Sequence, residues 1–152
     1  MKNQNINYFC PKCKIGLLEK QSDKKQEDKY QCVACKLQFP VISNIPRLTS
    51  LENYSASFGF QWNKYRLTQL DSYTKTKISE DRIKKVTAWD QLEDVCGSIL
   101  EAGSGAGRFT EVLTKTSANI FSFDYSSAVD ANYKNNGKSK NLKLFQGDIY
   151  NM

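Results

Sequence analysis

Histidine is absent from the 152 residues. That removes the side chain that most often titrates near neutral pH and a common metal ligand, so any proton transfer must use a carboxylate, a tyrosine, a lysine or water. Long apolar runs are absent too. Mean hydropathy is −0.59, and no stretch approaches the roughly 18 residues a membrane-spanning helix needs. The first residues, Met1-Lys2-Asn3-Gln4-Asn5, lack the apolar core of a secretory signal. These absences predict a cytoplasmic chain. What is present is ordinary for a globular protein, with 39% hydrophobic and 25% charged residues. The length suits one domain, or a small domain with part of another.

The net charge of +6 is unevenly placed: residues 1–50 carry nine Lys and Arg against four Asp and Glu, whereas the rest is nearly balanced. Such an excess is either an ordinary solvated face or an electrostatic footprint for RNA, and no RNA-binding motif accompanies it. The same fifty residues hold Cys10-Pro11-Lys12-Cys13 and Cys32-Val33-Ala34-Cys35, two CxxC pairs with eighteen residues between them. Two disulfides or reduced thiols are the alternatives, but disulfides conflict with the expected compartment. The spacing fits a closed four-thiolate zinc site formed by Cys10, Cys13, Cys32 and Cys35, structural and not catalytic. A segment this small has little apolar core, so the metal would supply folding energy. Strands are expected over residues 14–20 and 29–31, a polar hairpin tip over 22–29, and a third strand with a turn over 38–48.

Residues 51–97 read as a connector. Phe58, Trp62 and Tyr65 recur at helical spacing, either as a core stripe or as a lid over a cofactor or substrate. Ser79-Glu80-Asp81 reads as a helix start with Ser79 as N-cap, followed by Ile83, Val86, Trp89 and Leu92 at about one turn each. Cys96, the fifth cysteine, is expected to be a buried small apolar residue, since no histidine could activate it.

From residue 98 the pattern changes. Ile99-Leu100 reads as the end of a buried strand. Gly103, Gly105 and Gly107 follow at alternate positions, and Phe109, Val112 and Leu113 then recur at helical spacing. Such a strand-turn-helix lets a nucleotide-like cofactor approach bare backbone beside a helix N-terminus. A second strand spans residues 119–123 and ends at Asp124. A helix runs from about Ser126 to Gly137, and a third strand over 142–146 ends at Gly147-Asp148. This β-α-β-α-β order implies a parallel sheet with its ligand at the carboxyl ends of the strands, where Glu101, Asp124 and Asp148 all fall. Arg108 stands where a dinucleotide-binding GxGxxG needs its third glycine. S-adenosylmethionine, with no phosphate, a sulfonium, an amine and two ribose hydroxyls, suits three acids better.

The run Glu101-x-Gly103-x-Gly105-x-Gly107, the segment SFDYSSAVDANYKNNG and the segment FQGDIYN resemble the three ordered cofactor motifs of class I S-adenosylmethionine-dependent methyltransferases. CPKCKIGLL and YQCVACKLQFPVISNIPRL resemble zinc ribbons fused in front of bacterial methyltransferases, including those of rRNA guanine methyltransferases and methyltransferase activator subunits. FGFQWNKYRLTQLD is similar to a segment ahead of the cofactor domain in bacterial methyltransferases associated with surface sugars or lipids. The implied architecture is α/β: a zinc ribbon over 1–50, a helical aromatic connector or lid over 51–97, and the first half of a Rossmann-like methyltransferase sheet over 98–152.

By the same resemblance, Glu101, Ala102 and Gly103 would surround the methionine end, Gly105 would admit the cofactor to the backbone, and Gly107 would permit close helix packing. Asp124 would take the ribose hydroxyls, Tyr125 would pack on the adenine, and Asp148 and the Ile149 amide would bind its edge. Asp124 and Asp148 could instead be turn or cap residues, and Tyr125 a surface aromatic. The family's sheet is larger than residues 98–152 can build, so the chain is expected to be a fragment or a half-domain completed by another chain or copy at the exposed sheet edge. Alone it is expected to transfer no methyl group at a useful rate, with catalytic residues beyond Met152. The acceptor is left open among RNA, a sugar or lipid precursor and a small metabolite. A non-catalytic zinc-ribbon module with a vestigial cofactor half is the competing expectation.

Overall fold

The computed structural model describes residues 8–22, 28–51 and 55–151. Five short strands come first: β1 (Tyr8–Phe9), β2 (Leu17–Gln21), β3 (Lys29–Cys32), β4 (Gln38–Ile42) and β5 (Ile45–Pro46). They form one antiparallel sheet in sequential order. β1 escaped the sequence reading because two residues carry no periodicity. The single third strand expected over 38–48 is in fact the β4–β5 hairpin, turned by Ser43 and Asn44 at φ 53° and 64°, the left-handed pair that matches strand twist in a two-residue loop. Of the expected hairpin tip, residues 23–27 lie outside the described residues.

Three helices follow: α1 (Ala56–Lys64), α2 (Asp71–Thr74) and α3 (Ile78–Thr87). Ser79 is not the N-cap of α3, which is Lys77. The capping carboxylate comes from α2 instead, because Ser79 N–H donates to both oxygens of Asp71 at 3.0 Å and Glu80 N–H to one at 3.0 Å. α3 ends at Thr87, with Ala88 at φ 57°. Trp89 and Leu92 therefore lie beyond the helix, although Leu92 is still buried. Cys96 is exposed, not buried, since it sits in the loop leading to the next strand and not on a packed face. Phe58 and Tyr65 are 61% and 50% exposed, which removes the core-stripe reading of the aromatic segment.

The last third is a βαβαβ unit of Rossmann type: β6 (Ser98–Ala102), α4 (Arg108–Leu113), β7 (Asn119–Asp124), α5 (Ala128–Asn136), β8 (Leu142–Gln146) and a 3-10 turn (Ile149–Asn151). The sheet is parallel in the order β6-β7-β8, with Glu101 level with Ser122 and Asp124 level with Gln146. Alternation along β7 sends Ile120 and Ser122 to the helical face and Phe123 to the other. On the helical face Ile120 packs with Leu113 and Ala118, against Ile83 and Trp89. On the opposite face Phe123 and Phe145 share a cluster with Cys10, Leu18, Cys32, Phe39 and Leu48. The N-terminal sheet and the parallel sheet are thus packed through one apolar cluster.

Main-chain bonding reinforces that junction. Leu48 N–H donates to Gln146 O at 2.8 Å, and Arg47 makes an isolated parallel bridge with Gln146. Arg47 is 3% exposed and paired with Asp130 at 2.5 Å. The chain leaving the four-cysteine region therefore runs along the β8 edge. The other edge is open among the described residues: β6 pairs only with β7, and Leu100 is 63% exposed. The expectation of a buried first strand is corrected on this point, because one face and one edge of β6 have no cover here. Among the described residues no helix is long and apolar enough to cross a membrane.

Candidate functional site

The glycine loop after β6 is pinned to the end of β7. Gly103 and Ser104 N–H both donate to Phe123 O at 2.9 Å, and Gly105 N–H donates to Asp124 Oδ2 at 2.8 Å. Gly103 adopts φ 74° with open space where a Cβ would stand, so the backbone is bare toward solvent. Gly107, at φ 89°, needs glycine for a second reason: a Cβ there would collide with Asn132 and Asn136 of α5. This is the close helix packing expected of it.

Asp124 organises the next strand end. Besides Gly105 N–H it accepts Ser126 N–H at 2.8 Å and Ser126 Oγ–H at 2.7 Å on Oδ1. A carboxylate has about four acceptor sites, so roughly one remains free on Oδ2. Asp148 accepts Tyr150 N–H at 3.0 Å and the Asn151 amide at 2.7 Å, closing the 3-10 turn. The turn-and-cap roles weighed for these two acids are therefore real, and both keep acceptor capacity. Gln146, 2% exposed, donates through Nε2 to Tyr125 O at 2.9 Å and so holds the segment after β7.

These groups line an open cleft of about 350 Å³ at the carboxyl ends of the three strands, with Ala102, Gly103, Asp124, Tyr125, Asp148 and Ile149 in its wall. Phe123, Gly147 and Tyr150 complete it. The structure thus brings six of the nine sequence-expected residues to one hollow. Gly105 and Gly107 support the loop. Glu101 lies beneath it, its Oε2 accepting Thr110 Oγ–H at 2.6 Å and Ser122 Oγ–H at 2.7 Å. Burial pushes its carboxyl above the usual range, against the lowering effect of those two hydroxyls. Asn132 extends the network to Thr110 at 2.8 Å, and Asn136 bonds Asn132 at 2.9 Å and Gly107 O at 3.0 Å.

Sequence reading missed Thr110, Ser122, Asn132 and Asn136. The available signal was a serine at an inward position of β7, level with Glu101. It also left Trp62 undecided. α1 docks on the start of α5, where Asn63 Nδ2 donates to Ser127 O at 2.8 Å, and a Cβ on Gly105 would meet the Trp62 indole at 3.7 Å. Trp62 stands against the glycine loop.

The glycine loop keeps polar capacity beside the cleft, although Ser104 itself is not in the cleft wall. Ser104 Oγ, in that loop, is buried with no hydrogen-bond partner among the described residues, and the space over Gly103 is empty.

A second centre lies in the N-terminal sheet. The sulfurs of Cys10, Cys13, Cys32 and Cys35 all lie within 4.8 Å of one another, with Cys10–Cys35 at 3.7 Å and Cys13–Cys32 at 3.6 Å. A disulfide needs about 2.05 Å. Four thiolates about 2.3 Å from one tetrahedral ion stand about 3.8 Å apart, so the donor set fits a metal ion. The backbone prepares it twice over. Lys14 and Lys36 close equivalent turns at φ 65° and 63°, with Lys14 N–H on Cys10 O at 2.9 Å and Lys36 N–H on Cys32 O at 3.0 Å. Cys35 N–H points at Cys32 Sγ at 3.4 Å. The Ile15 N–H, and after it the Gly16 N–H, pull the Cys13 thiol down to about 6, whereas, against the Leu37 N–H, burial and the neighbouring sulfurs push the Cys35 thiol up to about 11. A Cβ on Gly16 would collide with Cys32 Sγ.

No family model matches the chain, and no curated protein does. Among solved structures it is similar to a phosphoethanolamine N-methyltransferase 1 of Haemonchus contortus, solved with phosphoethanolamine and S-adenosylhomocysteine. That match has 25% identity and a TM-score of 0.40, over 60% of this chain and 21% of that one. It is also similar to a candidate S-adenosylmethionine-dependent methyltransferase of Methanococcus maripaludis, at 15% identity and a TM-score of 0.47, over 68% of this chain and 47% of that one. The chain spans less than half the length of either structure.

Proposed function

We infer that this chain is the S-adenosylmethionine-binding portion of a methyltransferase and that its four cysteines hold a structural zinc ion. The observation that carries the reading is the convergence of Gly103, Asp124, Tyr125 and Asp148 on one cleft at three parallel strand ends. When bound, the cofactor supplies a methyl group already activated by a sulfonium. The chain's own residues bind and orient. The remaining acceptor site of Asp124 suits a ribose hydroxyl, Tyr125 an adenine face, and Asp148 with the Ile149 amide an adenine edge. The glycine loop, with the free Ser104 hydroxyl, suits the amino-acid end. Catalysis would come chiefly from alignment of acceptor and methyl. Zinc would be bound by Cys10, Cys13, Cys32 and Cys35 in a closed site with no catalytic part.

Phe58 and Phe60 are 61% and 70% exposed on α1, the helix that carries Trp62 to the glycine loop, which supports a sugar or small-molecule acceptor. The lysine excess of residues 1–50 supports RNA contact instead. One observation favours a second reading, a partner-completed or vestigial half-domain on a zinc-binding module: the open edge of β6 with Leu100 exposed. A vestigial half-domain would bind zinc, a partner or RNA but not the cofactor; on the methyltransferase reading the chain by itself is expected to bind cofactor but, with β6 uncovered, to turn over poorly.

Calorimetric titration of S-adenosylhomocysteine into zinc-loaded protein tests the cofactor site. Binding that weakens about tenfold or more in Asp148→Ala, and further in Asp124→Ala, is expected from loss of charge-assisted hydrogen bonds. No binding to folded, zinc-loaded protein would leave the module reading.

A further inference from the structure

The cofactor cleft has a neighbour. A second hollow of about 340 Å³ lies between the first cysteine turn and the end of β8. Tyr8, Phe9, Cys10 and Lys14 form one wall, and Gly147 and Asp148 form part of the other. Those last two residues also line the cofactor cleft, so the two hollows meet at Gly147–Asp148. The metal centre and the strand ends are therefore separated by one shared wall.

That wall is a packed stack. Tyr8 meets Phe145 edge-on with ring centroids 5.7 Å apart, and Phe145 stacks on Phe123 at 5.4 Å. The Phe145 ring lies 3.1 Å from where a Gly147 Cβ would stand, so it sits directly under the backbone that leads to Asp148. Cys10 and Cys32, both at 0% exposure, belong to the same cluster as Phe123 and Phe145. The first cysteine turn is closed by Cys10 N–H on Gly16 O at 2.8 Å and by Lys14 N–H on Cys10 O.

The two cysteine turns bring four sulfurs within 4.8 Å of one another. As thiolates these repel unless an ion neutralises them, so loading a metal would reinforce the closed turns. We propose that the metal ion of the four-cysteine site and the cofactor at the strand ends are linked ligands, because the turn from Tyr8 to Lys14 walls the neighbouring hollow and packs, through Tyr8 on Phe145, under the Gly147–Asp148 backbone that lines the cleft. This rests on the cofactor reading above. Whatever the cofactor gains from a closed turn, the metal gains from a bound cofactor, since coupling between two equilibria is reciprocal. The four-cysteine sheet is then a lock on the cofactor site.

The experiment uses the full chain, zinc and S-adenosylhomocysteine. Zinc affinity is measured by competition with a chromophoric chelator, with and without saturating S-adenosylhomocysteine. A gain of about fivefold or more is expected, together with its disappearance in Asp148→Ala. Two further measurements separate the wall from simple unfolding of metal-free protein. In cobalt-substituted protein, which stays loaded throughout, the thiolate-to-cobalt absorption is expected to shift on addition of S-adenosylhomocysteine. In Tyr8→Ala, which removes the ring that meets Phe145 and leaves the four ligands in place, S-adenosylhomocysteine is expected to bind several-fold more weakly with zinc still bound. If S-adenosylhomocysteine binds wild type while zinc affinity, the cobalt spectrum and the Tyr8→Ala titration stay unchanged, the linkage is overturned and the cofactor reading stands. If it fails to bind folded, zinc-loaded wild type, both fall.

Discussion

The two halves of this molecule are held together by different means. In the four-cysteine sheet the apolar cover is thin: Ile15 is 76% exposed, Phe9 62% and Leu37 42%, and two of the fully buried side chains are the metal-site cysteines Cys10 and Cys32. In the βαβαβ half Val112, Ile120, Val129, Ala128 and Ala131 are fully buried around a polar network through Glu101, Thr110, Ser122 and Asn132. On the metal reading proposed above, the first half would draw on an ion where the second draws mainly on its own side chains. The lesson is in the seam, where Phe123 and Phe145 join the cysteine cluster. A thinly covered sheet has been built into the wall of a better-packed one.

The largest effect that would test this contrast is loss of the metal site. Cys32→Ser removes a buried ligand, and apparent zinc-binding energies of about 10–16 kcal/mol in small zinc domains far exceed what β1–β5 could make up otherwise. The expected result is loss of bound zinc and of amide dispersion for residues 8–48 in two-dimensional NMR spectra, with signals of β7 and α5 retained. Simultaneous collapse of both halves would break the comparison.

Phe145→Ala comes next. Removing a buried phenyl ring costs about 3–5 kcal/mol, and because this ring touches both halves, denaturant unfolding should show the loss in each. A loss confined to the βαβαβ half would mean that the cluster is not shared in solution.

Asp71→Ala is smaller, about 0.5–2 kcal/mol, as for removal of a helix cap. Although burial alone would raise it, the Ser79 and Glu80 N–H groups hold the Asp71 carboxyl below its usual range. A lowered folded pKa means the contribution is present above the unfolded value, about 3.9, and is lost as pH falls through the folded value. The gap between wild type and variant in thermal melts should therefore narrow below about pH 4. A constant gap would mean that the cap does not depend on charge.

The smallest expected effect is at Glu101. Its raised pKa reverses the sign: its contribution is full below the unfolded value, about 4.3, and is lost as pH rises through the folded value. Glu101→Gln, of the same shape and neutral, should remove that slope and change stability near pH 7 by about 1 kcal/mol or less. Chemical denaturation at about pH 4 and pH 8 measures it, and an unchanged slope would show that another group is responsible.

The legible parts share a physical character. β7, α5 and β8 match their expected extents closely because alternation over 119–124 and 142–146, and Gly137 after α5, are local signals. The CxxC pairs are legible for the same reason, since each turn closes over a few residues. β1 is too short to carry a period, and the Ser43-Asn44 turn lies inside a run that reads as one strand. Ser79 resembled a cap on its own, but the carboxylate that does the capping stands eight residues earlier.

The chain of amino acids by itself determined the strand–glycine turn–helix, the acids at three strand ends and the four-cysteine spacing, because backbone conformation and periodicity are set by near neighbours. Only the tertiary structure decided what those features meet. Glu101 turns to Ser122 and Thr110 beneath the loop, Asp124 ties the glycine loop to α5, Trp62 rests against Gly105, and Leu48 bonds to Gln146. Most of these contacts join residues far apart in sequence, where the cost of closing the intervening chain is repaid only by packing shared across the whole fold.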